Sequence, residues 1–134
     1  MPPYGEGCGL MPQSNPVVAT IDDDRRVRES VQSVLESAGY EAVTFESAET
    51  FLLSGALSHV TCVIADVRLP GIDGTELQRR IRRERRELPV ILITAHDDDD
   101  VRQRALRDGA VAFLVKPFDG GDLLGHVARA TSAA

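Results

Sequence analysis

The sequence predicts an α/β fold: a single domain built as a (βα)5, doubly wound parallel sheet of five strands. Two observations carry that prediction. From Pro16 onward, five short apolar runs alternate with five stretches of helical periodicity, and such alternation implies parallel strands joined by right-handed crossovers. The chain's 134 residues suit one domain rather than two. With 43% apolar and 27% charged residues, it can fill a core without disulfides or a structural metal.

Residues 1–15 (MPPYGEGCGLMPQSN) are rich in Pro and Gly, lack periodicity and read as a flexible tail; residues 16–131 form the domain. The run VVATI at 17–21 suits a strand buried on both faces. Asp24 then caps a helix over 25–38, with Val27, Val31, Val34, Leu35 and Ala38 on one face and Gly39 closing it. EAVTF at 41–45 is the second strand, and a short helix spans 47–54 between Ser47 and Gly55. TCVIA at 61–65 forms the third strand and ends at Asp66, where the Pro/Gly loop VRLPGIDG begins and leads into a helix over 75–87. VILIT at 90–94 is the fourth strand. A helix over 97–108 follows, with Val101, Ala105 and Leu106 inward, and AFLV at 112–115 is the fifth strand. The last helix covers 120–130 with Leu123, Leu124 and Val127 on its core face.

Several function classes are excluded early. A net charge of −6 argues against broad binding of phosphate backbones. No apolar run approaches the ~20 residues that span a bilayer, and the start lacks a signal-peptide pattern, so a cytoplasmic protein without membrane contact is expected. Cys8 lies in the tail and Cys62 in an apolar run, so no mutual bridge and no zinc site is expected.

Parallel sheets of this kind bind ligands beyond the carboxyl ends of their strands, where strand order switches. The residues at those ends are Asp22-Asp23, Asp66, Thr94 and Lys116, and Lys116 is the only lysine beside 14 arginines. Clustered carboxylates raise one another's proton affinity. A hard divalent cation relieves that conflict, and an all-oxygen donor set favours Mg²⁺. Lysine suits the far side of a phosphate as a compact charge, and the Thr94 hydroxyl supplies another donor. The set is complete for phosphoryl transfer onto a carboxylate, with Asp66 as nucleophile.

Each member also has an ordinary reading. Asp22–Asp24 is a natural helix-cap cluster, and Asp66 before a Pro/Gly loop is a natural turn residue. What those readings leave unexplained is the joint placement at four core-strand ends.

The pieces IDDD at 21–24, ADVRLPGIDG at 65–74, ILITAH at 91–96 and FLVKPF at 113–118 resemble, in order, the motifs of response-regulator receiver domains of two-component signalling. The likeness runs from about Pro16 to Ala130, and the loop and flanks are similar to receivers of the FixJ kind. It implies a flavodoxin-like, CheY-like strand order of 2-1-3-4-5. It also implies that Asp66 accepts a phosphoryl group from a sensor histidine kinase or phosphotransfer protein. Asp23, Asp66 and the Arg68 backbone carbonyl would ligate Mg²⁺ (Mn²⁺ can substitute), with Asp22 helping through water. Lys116 would pair with the phosphoryl group, Thr94 would move toward it, and Phe113 would be the aromatic switch. A cis Lys116-Pro117 bond is part of the same pattern. So is a phosphorylation-dependent homodimer through the fourth helix, fifth strand and fifth helix. Self-phosphorylation and slow self-dephosphorylation are implied, without turnover of a separate substrate.

The competing enzyme reading is a Mg²⁺-dependent phosphohydrolase resembling the haloacid dehalogenase group, with Asp22 as nucleophile and Asp24 as partner acid. Arg25-Arg26 break that group's pattern, and there is little room for a substrate cap. An unphosphorylated binding module is a third reading, against which the intact pocket speaks. Arg68 flanks the pocket as a residue whose side chain can reach the phosphoryl group and alter its lifetime; His96 reads as exposed and inactive, with tuning of hydrolysis as the alternative. The arginines at 79, 80, 82, 83, 85 and 86 read as a solvated face interleaved with Glu84 and Glu87, with docking of an acidic partner as the alternative; Asp97–Asp100 read as a cap. No effector domain and no direct nucleic-acid binding are expected of this chain.

Overall fold

The structure, a computed structural model, describes residues 16–132. The expected tail and Cys8 lie outside them. The elements run β1 (Val17–Ile21), α1 (Arg25–Ser37), β2 (Glu41–Phe45), α2 (Ala48–Ser54), a 3-10 turn (Ala56–Ser58), β3 (Cys62–Asp66), α3 (Gly74–Glu84), β4 (Val90–Thr94), α4 (Asp99–Arg107), β5 (Ala112–Val115) and α5 (Gly120–Ser132). All strands are parallel and lie in the order β2-β1-β3-β4-β5. This is the CheY-like, flavodoxin-like α/β arrangement that the sequence predicts.

The strands are apolar on both sides because both faces are covered. Ala19, Ile21, Val63, Ala65 and Leu92 pack with Phe51 of α2, Leu77 and Ile81 of α3 and Ala105 of α4. Their neighbours along the strands, Val18, Cys62, Ile64, Ile91 and Ile93, pack on the opposite face with Val31 and Leu35 of α1 and Leu123 and Val127 of α5. The edge strand β2 is only half-buried.

Several boundaries differ from the sequence expectation, three of them for visible physical reasons. The third helix ends at Glu84, not Glu87, because Arg85 leaves helical geometry (φ −140°, ψ 81°) and Leu88 must turn into the core ahead of Pro89. The fourth begins at Asp99, since Asp98 is extended and its carboxylate accepts the Asp100 and Val101 amides. The first ends at Ser37, and Ala38, expected on the core face, is an exposed C-cap. Leu106 is likewise 45% exposed; one residue past Ala105, it stands too far round the helix from the Val101–Ala105 stripe. No helix among the described residues is long and apolar enough to cross a membrane.

Candidate functional site

The strand order reverses between β1 and β3, and the acidic residues gather in that crevice. Register explains why. Ile21 of β1 stands opposite Ala65 of β3, so Asp22 and Asp66 emerge side by side. Asp66 pairs with Ile93 and Thr94 with Val115, which brings Thr94 and Lys116 to the same rim.

Each side chain is held locally. Asp22 is buried, and its Oδ1 accepts the Asp24 amide at 2.8 Å. Its carbonyl accepts Arg28 Nη1 at 2.8 Å. Asp24 points away to cap α1, accepting the Arg26 amide at 2.9 Å, while Asp23 is exposed. Asp66 Oδ1 accepts the Arg68 amide at 3.0 Å. Gly74 opens α3 so close to β3 that a methyl there would collide with the Asp66 carbonyl. Thr94 is buried, and its Oγ1 accepts the His96 amide at 3.1 Å. The Lys116 amide donates to the Thr94 carbonyl at 2.7 Å, and the Lys116-Pro117 bond is cis.

Lys116 Nζ donates to Asp22 Oδ2 and to Asp66 Oδ2, each at 2.8 Å. Burial pushes the Asp22 carboxyl above its usual value, Asp66 adds to that, and the Lys116 hydrogen bond opposes it. Burial works against the Lys116 charge, but hydrogen bonds and charge from both aspartates outweigh it and hold Lys116 above its usual value. Asp22, Asp23 and Asp66 place one carboxylate oxygen each within 4.8 Å of one another. Hard oxygen donors at that spacing fit a small divalent cation such as Mg²⁺.

Phe113 lies nearly buried in β5. Arg68 and His96 are both exposed and, with Thr94, line a groove of about 490 Å³ between the β3–α3 loop and α4. Among the residues that escape sequence reasoning are two arginines. Arg28 sits one turn into α1 as one arginine among several, and Arg102 lies over Phe113 with no helical spacing to flag it.

The sequence profile of the response regulator receiver domain matches residues 18–128. The chain belongs to this family. Receiver-domain relatives include nodulation protein W of Bradyrhizobium diazoefficiens, 37% identical over 127 residues, covering 95% of this chain and 56% of that protein. The transcriptional regulatory protein FixJ of Azorhizobium caulinodans is 40% identical over 117 residues, covering 87% of this chain and 55% of that protein. The chain thus spans about half the length of these curated relatives. Among solved structures, the BeF3-activated DrrB receiver domain superimposes with a TM-score of 0.82 at 31% identity, covering 89% of this chain and 99% of that one. The chain is a receiver domain of a two-component response regulator. Nothing in the profile or these relatives supports the phosphohydrolase alternative, and Asp24, its required second acid, is committed to capping α1.

Proposed function

We propose that this receiver accepts a phosphoryl group on Asp66 from a phosphohistidine of a partner kinase or phosphotransfer protein. The observation that carries the reading is Lys116 Nζ at 2.8 Å from both Asp22 and Asp66, with Asp23 completing the acidic trio. An Asp66 carboxylate oxygen forms the new bond to phosphorus as the P–N bond breaks, and the imidazole leaves with the electron pair. Lys116 offsets charge on the incoming phosphoryl oxygens and keeps Asp66 oriented. Asp22, Asp23, Asp66 and the Arg68 carbonyl are the residues assigned to Mg²⁺, which when bound neutralises developing charge on those oxygens.

The acyl phosphate carries about −1.5 to −2 charge units where the Asp66 carboxylate carried a single one, and it spreads that charge over oxygens further into the rim. Thr94 Oγ1 then exchanges its bond with the His96 amide for a phosphoryl oxygen. The start of α4 shifts and Phe113 follows, biasing a pre-existing equilibrium between two conformations. The face of α4, β5 and α5 is the surface we assign to a phosphorylation-dependent homodimer. Because FixJ is a transcriptional regulatory protein of which the matched region covers only 55%, we infer a transcriptional output carried by residues outside this domain, in the cytoplasm.

Incubation with a small phosphodonor and Mg²⁺, followed by mapping of the acyl phosphate, tests the reading. Label on Asp66, lost in Asp66→Ala, is the expected result. Label on Asp22, or label surviving Asp66→Ala, overturns it.

A further inference from the structure

We infer that Glu49, in the first turn of α2, is a positioning residue that fixes the β3–α3 loop for Mg²⁺ binding and phosphoryl transfer; the inference rests on the site reading above. The loop from Val67 to Asp73 follows the phosphoacceptor directly and includes Arg68, whose carbonyl is assigned to the metal. Its ends are anchored by its own strands and helix. The Val67 amide donates to Ile93 O at 2.8 Å and the Gly74 amide to Val67 O at 3.0 Å. At the tip, Glu49 Oε2 accepts the Ile72 amide at 2.9 Å, across 23 residues of sequence.

The neighbouring residue is shaped for the same contact. Gly71 has φ +75°, and a methyl on it would collide with Glu49 Oε2. A side chain there is disfavoured by the backbone conformation, and it would also have to push the Glu49 carboxylate off its bond to Ile72. The Ile72 bond also holds the Glu49 carboxyl below its usual value, so the acceptor is ionised and the bond charge-assisted. Glu49 itself lies outside the acidic trio, so it acts through the loop.

Hydrogen exchange of the metal-free protein and Mg²⁺ titration test this together. In Glu49→Ala, the Ile72 amide loses protection and Mg²⁺ affinity falls about tenfold, the low end of what loss of outer support to a metal site costs. Glu49→Gln retains an acceptor and recovers most of both. Ser47→Ala removes the α2 cap, the Ser47 Oγ bonds with the Thr50 amide and hydroxyl; it lowers helix stability but leaves Mg²⁺ affinity in place. Unchanged affinity in Glu49→Ala, or an equal loss in Ser47→Ala, overturns the inference while leaving the site reading standing. A wild-type protein that binds no Mg²⁺ overturns both.

Discussion

The Arg102 guanidinium lies 4.9 Å from the centre of the Phe113 ring, and its Nη2 stands 3.0 Å from Asp97 Oδ1. One side chain therefore joins the segment after Thr94 to the aromatic position of β5. A partly exposed cation–π pair is worth about 0.5–1 kcal/mol. A double-mutant cycle of Arg102→Ala with Phe113→Leu, read by urea denaturation, is expected to return a coupling of that size. Strict additivity would show that the stacking carries no energy.

Lys116 separates two carboxylates that would otherwise face each other. In Lys116→Met the metal-free protein is expected to lose roughly 2 kcal/mol, less than the roughly 3–5 kcal/mol seen when a fully buried pair loses a partner. Lys116 keeps some solvent contact, with 19% of its side chain exposed. Denaturation with and without Mg²⁺ checks this. The metal is expected to restore more stability to the variant than it adds to wild type, and equal stabilisation of both would count against a shared electrostatic site.

Burial pushes the Cys62 thiol from its ordinary 9.0 to about 12. Its folded pKa lies above its unfolded one, so the folded chain holds a proton that the unfolded chain releases. Stability is therefore untouched below pH 9.0 and declines as pH rises toward about 12. Lys116, also raised, adds a further alkaline loss above its ordinary 10.5. Cys62→Ala is expected to flatten the lower part of that decline in denaturation midpoints measured against pH. In the native wild type at neutral pH, Cys62 is expected to resist thiol reagents that react once the chain unfolds.

Arg85 is a staple rather than part of a solvated face. Its Nη1 donates to Leu57 O at 2.9 Å and Val60 O at 2.7 Å, tying the end of α3 to the turn before β3. Arg85→Ala is expected to cost about 1–3 kcal/mol, since charge-assisted bonds are lost and carbonyls are left short of a donor. Arg83→Ala and Arg86→Ala, on exposed side chains, are expected to stay within about 0.5 kcal/mol of wild type. Equal destabilisation in all three variants, measured by thermal melts, would contradict the distinction.

The fold was legible because its signals are local. Apolar runs, caps such as Asp24 and Ser47, and glycine stops each act within a few residues. The rim residues could be read because strand ends in a parallel sheet share one side whatever the details of packing. Arg85, Arg102 and Glu49 were opaque for the opposite reason. Their partners lie at Leu57 and Val60, at Phe113, and at Ile72, contacts that exist only once helices have been laid on the sheet. The end of α3 is hidden in the same way: periodicity continues through the arginines, but the need to bury Leu88 ends the helix earlier.

The single lysine has a practical consequence. In most proteins, amine-directed chemistry scatters over many ammonium groups. In this chain, the only side-chain amine is the one clasped between Asp22 and Asp66. An acylating reagent at limiting dose therefore has two addresses, the chain's α-amino group and the centre of the pocket. Shielding at the second address becomes a footprint of whatever fills the pocket, readable by peptide mapping without a mutation or an engineered probe.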